Sequence, residues 1–369
     1  MNSNELEMDL LKKTPLYEIH KAFGAKMAPF GGWLMPIQYE GILAEHAHTR
    51  SAVSVFDICH MGEFTIEGDA VSSGLDHIVT QGIISMPVGA CRYGFMLNEN
   101  GGIIDDLVVY RKGKESWMLV VNAATISTDE DNIRRNLHGQ FKFENISDGT
   151  GKLDVQGPAS RDLVKSIFGT GVDHLKYYNF AEFVFDKKPC IVSRTGYTGE
   201  LGYELYVPAD RVVKLWNVLL KDDRAKPAGL GCRDTLRLEM AYPLYGQDID
   251  LNHTPLAAGF GKFVDFNKDF IGKSVLSDEQ KSGPKERLIC FKSDFRRAPR
   301  HGFAIFKDGK RVGTVTSGSF SPNLLVGIGM GYVSGNYDIG TRLVVKDANV
   351  EIPVTVVKKP FYNKEDKSR

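Results

Sequence analysis

FAEFVFDKKPCIVSRTGYTGELGYELYVP, residues 180–208, decides the fold class. It contains three runs of β-branched and aromatic residues: FAEFVFD, PCIVSRT and YELYV. A short Lys-Lys turn joins the first two and a Gly-rich loop the last two, so successive strands run antiparallel. Upstream, LDVQ reads as one more strand, and Gly157-Pro158 opens a helix carrying Leu163, Val164 and Ile167. Downstream, ADRVVKLWNVLL is an amphipathic helix. Strand, helix, strands, helix in that order predicts α+β with an antiparallel sheet, not a doubly wound parallel one.

The same reading extends to both ends. Thr14-Pro15 supplies an N-cap and a first-turn proline for a helix that Gly24 can end. A second helix is predicted over 42–52, and a third capped by Asp69, with Val71, Leu75 and Ile78 at helical spacing. CRYGFML, IIDDLVVYR and SWMLVVN follow as a meander, with NENGG as the first turn. Around SDEQKSGPKE (277–286) the composition turns polar, which marks a boundary. Beyond it, alternating runs separated by KDGK and KDAN predict an all-β unit, a small barrel or sandwich. The expected domains are 1–150, 151–280 and 281–369.

Composition narrows the function classes. Among 369 residues, 46 Lys and Arg balance 46 Asp and Glu. A neutral chain has no global field for a polyanion, so a nucleic-acid scaffold or polybasic membrane binder is disfavoured. The longest nearly uncharged stretch, around 324–334, is too short and too glycine-rich for a membrane span. The start MNSNELEMDLLKK lacks the basic and apolar pattern of a signal peptide. That fits a bacterial or archaeal cytosol, and a processed organellar chain would look similar. Cys59, Cys91, Cys190, Cys232 and Cys290 form no C-x-x-C pair, so five reduced thiols are expected and no metal site.

Three places could carry chemistry. Asp105 and Asp106 interrupt an apolar strand, and adjacent strand residues face opposite ways, so one acid points inward. An inward carboxylate needs a partner or a purpose; the plainer alternative is a solvated strand end. The loop RTGYTGELGYEL (194–205) links two strands and so is no dinucleotide fingerprint. It could let backbone approach a flat ligand, with Tyr197 and Tyr203 as stacking faces and Glu204 as a carboxylate; a simple hairpin turn competes with that reading. Arg233 and Arg237 lie four apart at a helix start, poised for an anion or for a structural ion-pair network. His46-x-His48 would diverge on a helix and makes a poor metal pair.

Taken in order, TPLYEIHKAFGAKMAPFGGWLMPIQY, FDICHMGEF, MLNENGGIIDDLVVY, VVNAA, SRTGYTGELGYELYVP, AGLGCRDTLRLEMAYPLYGQDID, FNKDFIGK and VTSGSFSP resemble the aminomethyltransferase family, the T-protein of the glycine cleavage system. The resemblance covers residues 14–361. It implies three domains in a cloverleaf around a central channel, the last a β-barrel or jelly-roll-like unit. It implies transfer of an aminomethyl carbon from the lipoyl arm of H-protein to tetrahydrofolate, giving methylenetetrahydrofolate, ammonia and the dithiol arm. The expected partners are therefore lipoylated H-protein and tetrahydrofolate, with no metal, nucleic acid or membrane.

By the same resemblance the catalytic aspartate is Asp106. Glu204 matches the carboxylate that pairs with the pterin N–H edge, and Arg233 a second folate-contacting position. Tyr93, Tyr110, Tyr178, Tyr197 and Tyr242 match tyrosines around the folate cavity, and Met61 and Asn122 match positions near it. Departures are Cys59 where the family has Ser, Thr80-Gln81-Gly82 after the third helix, GCRD for GARD, and an unmatched NKEDKSR tail. Two other readings share the fold: a folate-dependent demethylase, and a non-enzymatic folate-binding protein of iron–sulfur maintenance. The latter carries a cysteine in a K-G-C-Y-like loop, which RTGYTGELG lacks.

Overall fold

The structure, a computed structural model, describes residues 10–348 and 350–363. The first nine residues of the opening stretch and the tail from residue 364 lie outside it. The strands in chain order are β1 (Lys26–Phe30), β2 (Trp33–Gln38), β3 (Val53–Asp57), β4 (Gly62–Glu67), β5 (Cys91–Leu97), β6 (Ile103–Arg111) and β7 (Ser116–Val121). They continue with β8 (Lys142–Asn145), β9 (Thr150–Gln156), β10 (Phe180–Phe185), β11 (Lys188–Ser193), β12 (Gly202–Pro208) and β13 (Ala225–Pro227). Last come β14 (Glu286–Ser293), β15 (Ala304–Lys307), β16 (Lys310–Phe320), β17 (Gly327–Ser334), β18 (Arg342–Asp347) and β19 (Val350–Val357).

Two compact units divide the chain. One holds the residues up to Gly94 together with Leu107–Arg233, and the other holds Phe95–Asp106 and everything from Asp234 onward. In the first unit, the deciding stretch forms the edge of a six-stranded sheet ordered β10-β11-β12-β9-β3-β13. Its pairs are antiparallel except β13 on β3. A helix over Ser160–Phe168 and another over Ala209–Leu219 cover one face of this sheet. Alternate residues Leu153, Val155, Tyr203, Leu205 and Val207 meet Leu163, Val212, Leu215 and Trp216 in an apolar core. A second, five-stranded sheet runs β5-β6-β7-β4-β8.

The helix predicted from Asp69 is shorter than expected. Only Leu75–Ile78 is helical, because Gly74 adopts φ 81° and Asp69 Oδ1 accepts the backbone N–H groups of Val71 and Ser72 in a tight turn. Val71, expected inside, is 60% exposed. The polar boundary at 277–286 is mostly a helix, Lys273–Ser282, stopped by Gly283 at φ 76°.

In the second unit, β14-β17-β16-β15-β18-β19 close into a barrel around Phe291, Ile305, Val315, Val333, Leu343, Val345 and Val354. Gly329 and Gly331 lie where a Cβ would meet Phe291 at 2.8 Å and the Thr314 carbonyl at 2.5 Å, so the GIGMG run serves close packing.

Candidate functional site

Strand β9 carries Lys152, Asp154 and Gln156 on the face opposite the apolar core, and β12 carries Glu204 and Tyr206 beside them. Register pairs Lys152 with Tyr206 and Asp154 with Glu204, while Ser193 of β11 pairs with Glu204 from the other side. A strand alternating polar and apolar ordinarily turns its polar face to water. Here that face is buried: Lys152 is 1% exposed, Asp154 and Gln156 0%, Glu204 7%. Burial of so many polar groups on one face is costly unless they are paired.

Glu204 is well supplied with partners. Its Oε2 lies 2.6 Å from the Thr195 hydroxyl, 3.5 Å from that of Tyr110 and 3.4 Å from that of Tyr206. Oε1 faces Lys152 Nζ at 3.5 Å. Burial pushes this carboxyl up, but the Lys152 charge, the Thr195 hydrogen bond and the Arg233 charge outweigh it and hold Glu204 below the usual range. Asp154 answers the same field differently. Burial dominates, Arg233 attraction opposes it, and the Glu204 charge adds to it, so Asp154 rises to about 7. Gln156 Nε2 donates to Asp154 Oδ1 at 2.5 Å, and Arg233 Nε stands 3.5 Å from Oδ2.

Gln156 also organises the Gly-rich loop. It donates to the Thr195 carbonyl at 3.0 Å and accepts from the Thr198 hydroxyl at 2.6 Å. A Cβ at Gly196 or Gly202 would reach its amide at 2.2 or 2.1 Å, so both glycines are required for Gln156 to lie there. Arg50 ties the loop from outside through the Thr198 carbonyl at 2.7 Å and Glu200 at 3.1 Å.

The structure brings several of the expected residues together. Tyr110, fully buried, touches Glu204 and Tyr206, and shares an apolar cluster with Met61 and Tyr178. Met61 Sδ lies 3.4 Å from Lys152 Nζ. The Arg233 guanidinium lies over the Tyr197 ring at 4.6 Å. Tyr178 is held at φ 60°, a conformation that costs a non-glycine residue about 1–3 kcal/mol. Its N–H to the Arg194 carbonyl and its carbonyl to the Cys91 N–H keep it there.

The remaining expected residues sit elsewhere along the chain. Tyr93 is half-buried on β5, and Asn122 follows β7, its carbonyl accepting the Thr125 hydroxyl at 3.0 Å. Asp106 and Tyr242 belong to the second unit. On β6, Asp105 is the fully buried acid and Asp106 the half-buried one. The Tyr242 carbonyl accepts from Arg237, at 3.1 Å. Arg237 itself serves a buried ion pair with Asp248 at 2.7 Å.

Sequence reasoning missed Lys152, Asp154, Thr195, Tyr206 and Glu63. Glu63 of β4 is 1% exposed with no hydrogen-bond partner at Oε1. Burial raises it to about 8, against Lys152 attraction and with Glu204 repulsion. Next to this cluster is a cavity of about 300 Å³, of whose lining Met61 is the one expected site residue; Lys12, Trp33 and Cys59 are among the others. No three His, Cys, Asp or Glu side chains among the described residues are grouped to hold a metal. No helix among them is long and apolar enough to cross a membrane.

A carboxylate kept ionised out of water, ringed by hydroxyls and aromatic faces, is a preorganised hydrogen-bond acceptor on a sheet face, as small-molecule sites use. Residues 16–268 match the family described as GCVT N-terminal domain, and residues 286–363 match the glycine cleavage T-protein C-terminal barrel domain. An aminomethyltransferase of Halothermothrix orenii is 44% identical over 358 residues, 95% of this chain and 100% of that one. One from Pseudothermotoga lettingae is 44% identical over 363 residues, 97% of this chain and 100% of that one. The solved glycine cleavage system aminomethyltransferase T of Bartonella henselae superposes with a TM-score of 0.90 at 32% identity, over 95% of this chain and 98% of that one. The chain belongs to the glycine cleavage T-protein family, the aminomethyltransferases.

Proposed function

We propose that the protein transfers the one-carbon unit from the aminomethylated lipoyl arm of H-protein to tetrahydrofolate, releasing ammonia, methylenetetrahydrofolate and the dithiol arm. The observation that carries the reading is Glu204: buried, ionised, and with Oε1 facing one cation at 3.5 Å. The pteridine ring of tetrahydrofolate presents adjacent N–H donors, and a carboxylate meets such an edge as it meets a guanidinium. Arg233 with Tyr197, and Tyr110 and Tyr178 with Met61, supply polar and apolar walls for a flat ring. Tyr93, Asn122 and Tyr242 complete the folate contacts in this reading.

The chemistry asks for a base at a second place. Two folate nitrogens must capture the carbon as ammonia leaves, and the bridging anilino nitrogen is a poor nucleophile that must lose a proton. Asp106 takes that role by orienting the nitrogen and accepting the proton or stabilising positive charge. Water must stay out, because a free iminium hydrolyses to formaldehyde. Residues 1–150 and 151–280 act here as the folate-binding domains and 281–369 as the barrel domain. The compartment proposed is the cytosol.

Ammonia release from aminomethylated H-protein tests the whole reading. Wild-type protein releases it only when tetrahydrofolate is present. Asp106→Asn retains folate binding and loses most turnover, a drop of about 10²-fold or more for a missing general base. Wild-type turnover in Asp106→Asn removes the catalytic assignment, and ammonia release indifferent to folate removes the transferase.

A further inference from the structure

We propose that Lys152 is the positioning residue of Glu204: its ammonium aims Oε1 and balances the carboxylate charge, and Asp154 is the neighbour that competes for the same ammonium. The inference rests on the reading of Glu204 as the anchor of the pteridine edge.

The geometry gives Lys152 few other duties. Its Nζ lies 3.5 Å from Glu204 Oε1, 3.4 Å from Met61 Sδ and 5.0 Å from the centre of the Tyr206 ring. Glu204 Oε2 is already occupied by three hydroxyls, so Oε1 is the oxygen left for a ligand, and Lys152 is the charge beside it. The lysine backbone is clamped from the adjoining segment. The Cys59 thiol accepts the Lys152 N–H at 3.2 Å and donates to its carbonyl at 3.4 Å. A side chain fixed at both backbone groups and 1% exposed has little room to swing away.

Charge balance completes the argument. Around Lys152, burial keeps the hydroxyls of Tyr110 and Tyr206 neutral, and His60, lowered to about 3 first by burial, is neutral too. Glu63 retains its proton at neutral pH. The groups left to share two cations, Lys152 and Arg233, are Glu204 and Asp154, facing each other across paired strands. Adjacent carboxylates on such a pair repel when both ionise. Below neutral pH, Asp154 holds the proton and Glu204 the charge. Above that, the second carboxylate draws on Lys152 and loosens its hold on Glu204.

Tetrahydrofolate binding to the full chain, followed by anaerobic calorimetry from pH 5 to 9, tests this. Wild-type affinity is expected to hold within about threefold from pH 6.5 down to 5 and to weaken above 7. Lys152→Met is expected to lose about tenfold or more over the acid interval, because an unpaired buried Glu204 takes a proton. Lys152→Arg restores the flat acid side, a rescue that a space-filling role would not need a charge to achieve. Asp154→Asn removes the alkaline weakening. A folded Lys152→Met with the wild-type profile overturns the proposal. Should Lys152→Met fail to fold, an alkaline weakening that persists in Asp154→Asn overturns it instead. Wild-type protein that binds no tetrahydrofolate at any pH overturns the folate reading itself, a different failure.

Discussion

Glu63 places a carboxyl in the middle of a strand with 1% exposure and one oxygen without a hydrogen bond. Its proton affinity rises on folding, to about 8, chiefly through burial. A group raised in this way contributes stability that is complete below its unfolded value and lost as pH climbs through its folded one. The loss is on the order of 4 kcal/mol between pH 4.5 and 9. Glu63→Gln keeps the shape and removes the proton equilibrium. The variant should therefore melt at a higher temperature than wild type at pH 9 and close to it at pH 5, by calorimetry; parallel melting curves at the two pH values would sink this account. Nothing in HMGEFTIEG marks Glu63 as buried. Glu204 and Arg233 could be singled out because each lies in a motif with an unusual neighbour, a Gly-rich loop or a helix start. Glu63 has no such local mark, and its burial comes from distant residues packed over it.

Strand β9 shows how a pattern can be read correctly and its meaning missed. Lys-Leu-Asp-Val-Gln alternates with period two, so a strand with one apolar face is legible. Alternation alone cannot say whether the polar face meets water or a site, because that depends on β11 and β12 and on what covers the sheet. Short range signals fared well where backbone chemistry was local. The three strands at 180–208, the helix over 42–52 and the KDGK turn all appear where turns and spacing put them. The Asp69 helix was misread because the periodic Val71, Leu75 and Ile78 outweighed Gly74, which breaks the segment. Gly202 pairs with Gln156, and a Cβ there would overlap its amide at 2.1 Å. Gly202→Ala must push Gln156 off Asp154 and off both loop threonines, a cost of about 2–4 kcal/mol for overpacking plus lost buried hydrogen bonds. Tetrahydrofolate affinity should fall with it, because Thr195 is the shortest partner of Glu204. A variant with the wild-type melting temperature and affinity would show that the loop is not held through Gln156.

For the whole molecule, the feature the sequence could not supply is what fixes the barrel unit internally. Arg237 was legible as a charge at a helix start, but Asp248 lies in an irregular segment, and its partners Thr316 and Ser317 are far along the chain. Within the second unit, Asp248 accepts from Arg237 at 2.7 Å, from the Thr316 and Ser317 hydroxyls at 2.5 and 2.8 Å, and from the Leu244 N–H at 3.0 Å. Two consecutive strand residues reach the same carboxylate because β16 carries a bulge: Val315 pairs with Gly331 and Ser317 with Met330, leaving Thr316 as the extra residue. Asp248 thus joins the helix Leu230–Glu239 to a barrel strand through a charge that is 0% exposed. Asp248→Asn leaves the shape and removes the charge, so Arg237, 1% exposed, loses a charged partner at the buried end of its side chain. Breaking a buried pair from one side costs about 3–5 kcal/mol. Hydrogen exchange should then rise in β16 and β17, whose pairing the bulge positions, while amides of β9 and β12 in the first unit keep their protection. Uniform loss across both sheets would mean that the two units unfold as one, and unchanged exchange in β16 would mean that the bulge, not the ion pair, holds the barrel strand to its helix.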